Sequence, residues 1–398
     1  MKVSISKINL NNIETTLTKL GVDPCGISIM KDKFENILIR INNIPTTVAL
    51  IIKQEMLSKG GEVATPRGMI AHHIDNGDII ISGTISQYKK LINKLAMQPF
   101  SLKDIAEQIN RLIIKKQKPL LKIRDASFDF QNKKYLMGVL NPTPDSFSDG
   151  GLYQDTQQAI KHALEMIRDG ADIIDIGGQS TRPDAKIISA KKELSRVIPI
   201  IKDLRTRSNI PISIDTYYSE VADAAIENGA DIINDISAGS FDSEMLKTAA
   251  KHNCPIILMH MQGNPQNMQK NPTYNNTVID ILDHLKESAN SAIQSGIDPN
   301  QIIIDPGIGF GKNLEQNIEI ISNINMLTSI GYPVLVGLSR KSYIEQITGA
   351  KIDDRINETI ASNALVLYNG ASIIRVHDIK EHKKIIRLIN AFKNKEES

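Results

Sequence analysis

Short apolar runs alternate with helical patterns along residues 135–398. In the segment 155–170, for example, apolar residues recur from Ile160 at the i, i+3, i+4, i+7 spacing of one helix face, and Gly170 follows where such a helix ends. The apolar runs have the length of strands. They read YLMGVLN (135–141), DIIDIGG (172–178), PISIDT (211–216), DIINDI (231–236), PIILMH (255–260), IIIDPG (302–307), PVLVGLS (333–339) and SIIRVHD (372–378).

Eight strands, each followed by a helix, predict a (β/α)8 TIM barrel of the α/β class, a fold that typically takes roughly 250 residues. The sequence Gly-Ala-x-Ile-Ile occurs at 170–174, 229–233 and 370–374, each time where a helix would end and a strand begin. A doubly wound open sheet is the competing fold, but it usually has a Gly-rich turn after its first strand. The first run here ends in Asn-Pro-Thr-Pro, which favours the barrel.

The first 125 residues show a different pattern and predict a separate, smaller α/β domain. The stretches ENILIRINNI, EVATP and DIIISGT are typical of strands, and the segments around them are typical of helices. A basic stretch ending in Lys118-Pro119 and a polar stretch up to Tyr135 mark the boundary. We therefore predict an N-terminal domain at 1–125 and the barrel at 126–398. No motif in the N-terminal domain indicates a ligand.

Composition argues against several kinds of partner and compartment. The chain has 47 Lys and Arg against 45 Asp and Glu, intermixed, so neither nucleic acid nor a membrane surface is an expected partner. Its two cysteines, Cys25 and Cys254, lie far apart and predict no disulfide framework. No apolar stretch has the length of a membrane span, and the first residues lack the apolar core of a signal peptide. We expect a cytoplasmic protein.

Nearly every apolar run ends in a charged or hydrogen-bonding residue. Because the chemistry of (β/α)8 barrels collects at the C-terminal ends of the strands, these residues are candidates for a functional site. They are Asn141, Asp175, Asp215, Asn234, Asp235, His260, Asp305, Ser339, Arg340, Lys341, Arg375 and His377. Charged groups at the rim of an apolar barrel are costly unless partners or a ligand satisfy them. A role in binding explains all of them better than the ordinary polarity of strand ends.

The alternation of side chains along a strand brings four of these residues together. If their faces point inward, Asp215, Asn234, Asp305 and Lys341 converge on one pocket. Two carboxylates, an amide and an ammonium complement a flat heterocycle with ring N–H, amino and carbonyl groups.

The eighth run and the loop after the first run indicate further chemistry. Arg375 and His377 end the eighth run, where barrels of this type commonly bind phosphate, and an arginine suits an oxyanion. The loop NPTPDSFSDGG after the first run is long and stiff. Ordered loops of such length are more often functional than connective.

The motifs at the strand ends form an ordered series: GVLNPTPDSFSDGG, DIGGQSTRP, PISIDT, IINDISAG, IILMHMQG, IIIDPGIGFGK, GLSRKSYI and IIRVHD. In this order they resemble the signatures of the dihydropteroate synthase family, and the resemblance covers residues 135–390. The segment before them resembles the N-terminal extensions of archaeal members.

The resemblance implies a reaction and a set of ligands. In that reaction p-aminobenzoate displaces pyrophosphate from a hydroxymethyl-dihydropterin diphosphate, with Mg²⁺, to give dihydropteroate; the enzyme would be a homodimer. The pterin would be held by Asp215, Asn234, Met259, Asp305, Gly337 and Lys341. The diphosphate would be held by Arg375, His377 and Asn141, which would also bind Mg²⁺. The p-aminobenzoate site would be formed by Thr181, Arg182, Pro183, Phe310 and Ser342.

The resemblance also implies catalytic roles, which fall to Asp145, Lys341, Arg375 and His377. On this view the loop 141–151 is a lid that closes over the diphosphate and excludes water. Closure would place Asp145 near the carbon that becomes electron-poor as pyrophosphate leaves.

Two positions depart from the family pattern. Gln179 stands where the motif GGESTRP has Glu, and Pro142 replaces Val in NVTPDSF. Both lie outside the expected pterin-binding set, so the substrate class stands, but the amine substrate is either p-aminobenzoate or a ribosylated derivative. Two other functions stay open: a methyltetrahydrofolate–corrinoid methyltransferase, which shares the pterin-binding barrel but needs no diphosphate site, and a non-catalytic pterin-binding protein.

Overall fold

The computed structural model of the chain describes residues 13–113, 120–142, 152–179 and 187–397. The chain divides into two compact units, the first made by residues 1–117 together with 392–398 and the second by residues 118–391. The boundary predicted from the sequence, at residue 125, lies further along the chain. The difference arises because a short hairpin, Leu121–Ile123 with Ala126–Phe128, packs with the barrel strands rather than with the N-terminal sheet.

The N-terminal unit is a small antiparallel sheet covered by helices, so the predicted α/β domain is confirmed. Its elements are α1 (Ile13–Lys19), α2 (Pro24–Phe34), β1 (Asn36–Pro45), α3 (Thr46–Leu57), β2 (Glu62–Ala64), α4 (Arg67–Ile70), β3 (Asn76–Thr84), α5 (Ile85–Leu95) and α6 (Leu102–Ile113). The strand order is β1-β3-β2. A reciprocal cap between Thr84 and Gln87 starts α5.

The two faces of this sheet differ. Ile39 and Ile81 point to the covered face and pack with residues of α3, α5 and α6. On the opposite face Leu38 and Ile80 are exposed, as the period of two along a strand requires. The sheet therefore has one buried and one open side, which is common for antiparallel sheets.

The second unit starts with a hairpin and continues as eight parallel strands alternating with helices. The strands are β4 (Leu121–Ile123), β5 (Ala126–Phe128), β6 (Tyr135–Leu140), β7 (Ile173–Ile176), β8 (Ile212–Asp215), β9 (Ile232–Asp235), β10 (Ile256–Met259), β11 (Ile302–Asp305), β12 (Leu335–Val336) and β13 (Ile373–Val376). The helices are α7 (Leu152–Asp169), α8 (Ala190–Arg207), α9 (Ser219–Glu227), α10 (Met245–His252), α11 (Thr277–Gln294), α12 (Leu314–Ser322), α13 (Ile324–Thr328), α14 (Ser342–Thr348), α15 (Ile356–Tyr368) and α16 (Ile379–Glu397).

These strands close into a barrel. They pair in the order β11-β10-β9-β8-β7-β6-β13-β12, and a parallel bridge between Ile304 and Val334 joins the two end strands. The predicted (β/α)8 barrel is thus confirmed. The seventh barrel strand, β12, is the shortest and covers only the middle of the run 333–339. Pro333 at the start of that run has no N–H to donate, although its carbonyl accepts from the Ile304 amide at 3.0 Å.

The lower, N-terminal end of the barrel is sealed by the hairpin β4–β5. Phe128 is almost completely buried there, and its ring centroid lies 4.8 Å from that of Tyr135. Inward-facing strand residues complete this apolar cluster, which includes Met137, Ile173, Ile232, Ile257, Ile303, Leu335 and Ile373. Only the upper end, at the carboxyl ends of the strands, is left for polar chemistry.

Candidate active site

Four polar residues form one layer above this apolar floor. They are Asp175, Asn234, Asp305 and Arg375, and each stands two positions after an isoleucine of the floor, namely Ile173, Ile232, Ile303 and Ile373. Residues two apart share one face of a strand, so the four also point into the barrel. They come from alternate strands, as the layers of a (β/α)8 interior do. In this barrel the layer nearest the carboxyl ends is therefore built of hydrogen-bonding groups.

Arg375 ties the layer together. Its Nε donates to Oδ2 of Asp175 at 2.6 Å, and its Nη2 donates to Oδ2 of Asp215, on the strand next to Asp175, at 2.7 Å. The side-chain amide of Asn234 donates to the same Asp175 oxygen at 3.1 Å. A guanidinium set between two carboxylates compensates charges that would otherwise be costly to bury.

Asp305 and the loop that follows it shape another side of the site. The Asp305 carboxylate accepts from the backbone N–H of Gly307 at 2.7 Å. Gly307 has a φ of 65°, and a Cβ added there would lie 2.0 Å from the carbonyl oxygen of His260. Only glycine fits so close an approach. The tight turn brings Phe310 near Lys341, whose Nζ lies 4.3 Å from the centre of the ring.

Lys341 is anchored at both ends. It is the N-cap residue of α14, and its Nζ donates to the carbonyl oxygen of Ile308. Burial lowers the pKa of Lys341 to about 8, against the opposing attraction of Asp305. Burial raises the pKa of Asp215 to about 7, although Arg375 favours the ionised form. Both groups can therefore change charge near neutral pH.

His377 and Ser339 meet at the end of the last strands. Oγ of Ser339 lies 2.9 Å from Nδ1 of His377 and also accepts from the His377 backbone N–H at 3.4 Å. Next to them Arg340 adopts a left-handed φ of 60°, and its guanidinium donates to Asp378 at 2.8 Å. The end of β13, to which the sequence assigns an anion, is thus connected to the loop that carries Lys341.

Other residues assigned from the sequence lie around this centre. Asn141 and Asp215 both lie close to Gly177. A Cβ added at Gly177 would be 3.0 Å from Oδ1 of Asn141 and 3.3 Å from the Cβ of Asp215. Met259 ends β10 and is buried, and Ser342 starts α14. A Cβ added at Gly337 would lie 3.9 Å from the Cβ of Arg375. Asp145, Thr181, Arg182 and Pro183 lie outside the described residues.

Gln179 donates a hydrogen bond through its side-chain amide, which an ionised glutamate could not do. Its amide nitrogen donates to the hydroxyl of Tyr217 at 2.6 Å, and its carbonyl oxygen accepts from the backbone N–H of Ile188 at 3.2 Å. An ionised glutamate could accept from both partners but could donate to neither. The departure from the family motif is therefore accommodated by a neutral pair of hydrogen bonds.

Two buried basic residues near the site, Lys312 and Arg355, have no role predicted from the sequence. Lys312 donates to the carbonyl of Phe310 at 2.8 Å and lies 2.9 Å from Nδ1 of His260. Burial lowers the pKa of His260 to about 2, so the imidazole is neutral, and burial also lowers the pKa of Lys312 well below its usual value. Arg355 donates to the carbonyls of Arg340 at 2.9 Å and Lys341 at 3.3 Å. Lys312 ends the motif IIIDPGIGFGK and Arg355 lies in no quoted motif, but the sequence predicts a role for neither, because their contacts depend on loops that only the fold brings together.

The donor set suits a magnesium ion only in combination with phosphate oxygens. Among the described residues, the one group of three His, Asp and Glu side chains close enough to share an ion is Asp223, Glu227 and His252, at the surface on α9 and α10. At the barrel mouth Asn141 offers a single neutral oxygen. Mg²⁺ commonly keeps one or two protein ligands and takes the rest from waters and substrate phosphates. Among the described residues, the side-chain oxygen of Asn141 is therefore compatible with such an ion as a single protein ligand.

Comparison with known proteins identifies the family to which the chain belongs. The family model for pterin binding enzymes matches residues 137–377, which covers every strand of the barrel except the first two residues of β6. The chain belongs to this family. Curated relatives are the dihydropteroate synthases of Clostridium beijerinckii, 45% identical over 269 residues, and Bacillus subtilis, 42% identical over 279 residues. These alignments cover 67% and 70% of this chain and 97% and 95% of the relatives.

Solved structures of dihydropteroate synthases match the same part. The Yersinia pestis enzyme with a sulfonamide drug complex has a TM-score of 0.65 at 38% identity, covering 69% of this chain and 99% of that one. The Clostridium difficile enzyme, in the presence of pteroic acid, has a TM-score of 0.64 at 41% identity, covering 67% and 98%. The dihydropteroate synthase function expected from the motifs is thus confirmed. No helix in the described part of the chain is long and apolar enough to cross a membrane.

Proposed function

We propose that this chain joins p-aminobenzoate to a hydroxymethyl-dihydropterin diphosphate, releasing pyrophosphate and forming dihydropteroate. In this reaction the amine nitrogen attacks the methylene carbon, the bond from that carbon to the diphosphate oxygen breaks, and the amine loses a proton. The observation that carries the proposal is the polar layer centred on Arg375, which lies between Asp175 and Asp215 at the mouth of a synthase barrel. A Xanthomonas albilineans dihydropteroate synthase with 4-aminobenzoic acid shares the fold at 36% identity.

The pterin ring would occupy the space bounded by Asp215, Asn234, Asp305 and Lys341, with Met259 and Gly337 beside it. Carboxylates accept from the amino and ring N–H groups of a pterin, and a lysine donates to its carbonyl or ring nitrogen. The depth of these groups supports the assignment, since Asp215, Asn234 and Asp305 are each less than a tenth exposed. Buried groups of this kind discriminate strongly, because a ligand that fails to pair with them leaves them unsatisfied.

The diphosphate would be held at Arg375, His377 and Asn141. Mg²⁺, when bound, would supply positive charge against the phosphate oxygens and so stabilise the leaving pyrophosphate. Arg375 would orient the diphosphate, and its contact with Asp215 would link the diphosphate site to the pterin site. Asp145 is proposed as the carboxylate facing the reacting carbon.

The arylamine would bind at Phe310 and Ser342, with Thr181, Arg182 and Pro183 contributed by the segment after β7. The proximity of Lys341 to the Phe310 ring supports a site adjacent to the pterin. Whether the amine is p-aminobenzoate or a ribosylated derivative is decided by product analysis. The wild-type chain would be incubated with the pterin diphosphate, Mg²⁺ and each amine, and the products identified by mass.

A direct test separates the diphosphate site from the pterin site. Arg375→Ala and His377→Ala should weaken binding of pyrophosphate and of the diphosphate substrate more than binding of a pterin without phosphates. Calorimetry with pyrophosphate and with the phosphate-free pterin measures both. Equal weakening of the two ligands in both variants would contradict an anion site on the last strand. Absence of dihydropteroate with every amine would contradict the proposed reaction itself.

We also propose that the enzyme is a cytoplasmic homodimer. The two cysteines support a reducing compartment, since Cys25 is exposed, Cys254 is buried and neither forms a disulfide. Light scattering on the purified chain measures the oligomeric state, and a monomer mass would contradict the proposal.

A further inference from the structure

Asp175 lies at the centre of the polar layer without reaching its surface. Its side chain is completely buried, whereas Asn234, Asp305 and Arg375 keep some exposure. A single oxygen, Oδ2, accepts from Nε of Arg375 at 2.6 Å and from the amide of Asn234 at 3.1 Å. The other oxygen, Oδ1, has no hydrogen-bond partner in the part of the chain that the structure describes. A group so placed acts on ligands only through its two partners.

The chemistry of these contacts fixes the orientation of both partners. An ionised carboxylate only accepts hydrogen bonds, so the amide nitrogen of Asn234 must face Asp175, and the amide oxygen must face away. Likewise Nε of Arg375 faces Asp175 while Nη2 faces Asp215. The two partners come from β9 and β13, which are not neighbours in the sheet. Asp175 on β7 is the residue through which they are connected.

We infer that Asp175 is a positioning residue that couples the pterin site to the diphosphate site. This inference rests on the proposed function, in which Asn234 contacts the pterin and Arg375 contacts the diphosphate. Asp175 holds the Asn234 amide oxygen toward the pterin and the Arg375 guanidinium toward the diphosphate. Oδ2 accepts from both Asn234 and Arg375, so a substitution of Asp175 should weaken binding of both ligands. A substitution of Asn234 directly removes a contact to the pterin only, and a substitution of Arg375 directly removes a contact to the diphosphate only.

A purely stabilising role is the competing explanation, and the neighbouring strand offers a matched control. Asp235 is also completely buried near a strand end, but it accepts from the backbone N–H groups of Ser237 at 2.8 Å and Gly239 at 2.6 Å. It thus holds the turn after β9 rather than a residue of the polar layer. Asp235→Asn should lower the melting temperature and weaken both ligands far less than Asp175→Asn does.

The test compares Asp175→Asn with that control by calorimetry, using pyrophosphate with Mg²⁺ and a pterin without phosphates. An asparagine can keep its amide oxygen at the Oδ2 position and accept from both partners, but it lacks the negative charge that holds the Arg375 guanidinium. Its amide nitrogen also places a donor at the buried Oδ1 position, which has no acceptor among the described residues. We expect both ligands to bind about tenfold more weakly or worse, with a binding stoichiometry near that of the wild type. Wild-type affinity for either ligand in folded Asp175→Asn would overturn the inference.

A second measurement needs no change at Asp175 and applies even if that variant does not fold. Asn234→Ala and Arg375→Ala are combined, and pyrophosphate affinity is measured in the wild type, both single variants and the double variant. Residues without shared partners give additive effects, whereas residues in one hydrogen-bond network do not. We expect a non-additive result, and additive losses would overturn the coupling.

These outcomes are distinguishable from failure of the proposed function. Binding of pterin and pyrophosphate and formation of dihydropteroate by the wild-type chain test the function on their own. With those activities present, unchanged affinities in Asp175→Asn contradict the role of Asp175 alone. If the wild-type chain binds neither ligand, the proposed function is wrong and the inference fails with it.

Discussion

The two ends of the barrel are built from the same strands but bury different kinds of side chain. At the lower end Ile173, Ile303 and Ile373 pack with Phe128 in a layer of apolar side chains sealed by the hairpin β4–β5. Two residues further along the same strands, the side chains are Asp175, Asp305 and Arg375. One end buries apolar surface and stabilises the fold, while the other buries charges that a simple core would avoid.

This difference assigns stability and function to separate positions on each strand. Burial at the upper end shifts the pKa of Asp215 upward and that of Lys341 downward, so the charged forms are maintained at a cost. Such costs are typical of sites where interactions with a ligand compensate them. Substitutions at the lower end should therefore affect unfolding, and substitutions at the upper end should affect binding.

The largest effect is expected at the floor. Phe128→Ala removes a buried ring that seals the barrel, and we expect the free energy of unfolding to fall by about 3–5 kcal/mol. Urea denaturation followed by circular dichroism measures it. Phe130→Ala, in the same segment but only partly buried, is the control and should lose less. Equal losses in the two variants would mean that the hairpin does not form the floor of the core.

Upper-end substitutions should show the reverse pattern. Lys341→Ala and Asp305→Ala each leave a desolvated partner unpaired, and we expect pterin binding to weaken by about 2–4 kcal/mol. The free energy of unfolding should change much less than in Phe128→Ala, because these residues add little apolar burial. Calorimetry with a phosphate-free pterin measures the change in affinity, and urea denaturation of the same samples measures the change in the free energy of unfolding. Unchanged pterin affinity in both variants would remove them from the site.

Much of this contrast could be read from the sequence. Runs such as ISID and IIRVHD end in charges, and their period of two predicts which residues share the inward face. The barrel, the N-terminal α/β domain and the family follow from the strand rhythm and the motif order. The sequence places Asp175 at a strand end, yet no pattern shows that its oxygen is shared by β9 and β13, since that depends on strand closure. The burial of Lys312 and Arg355 depends in the same way on loops that meet only in three dimensions.

A smaller effect is expected from a residue that supports the upper end from behind. Arg355 is buried and donates to the carbonyls of Ala350 at 3.0 Å and Arg340 at 2.9 Å, and it also pairs with Glu345. A lysine keeps the charge but cannot span this fork of acceptors. Arg355→Lys should weaken pterin binding by about 1–2 kcal/mol by loosening the loop before Lys341.

The control for Arg355 is Arg207→Lys, which removes the fork geometry of an exposed ion pair with Asp203. Exposed pairs contribute little, so neither stability nor pterin affinity should change measurably. Both are measured on the same samples by urea denaturation and calorimetry. If Arg355→Lys lowers stability but leaves pterin affinity intact, the contacts of Arg355 stabilise the fold rather than the site. Stability and binding would then not be divided between the two ends of the barrel.

The smallest effect concerns pH and tests whether the charges of the upper end act on the ligand. Lys341 has its pKa lowered to about 8 by burial, so its ammonium, the form proposed to donate to the pterin, is lost as the pH rises through that value. Asp215 has its pKa raised to about 7 by burial, so its carboxylate, the form that accepts, is lost as the pH falls through that value. Pterin affinity should therefore be highest between these values and fall by up to about tenfold per pH unit outside them. Lys341→Arg should abolish the alkaline decline, because an arginine keeps its charge, while Lys351→Arg at an exposed position should not. If the alkaline decline persists unchanged in Lys341→Arg, another group causes it, and the charge of Lys341 does not contribute to pterin binding.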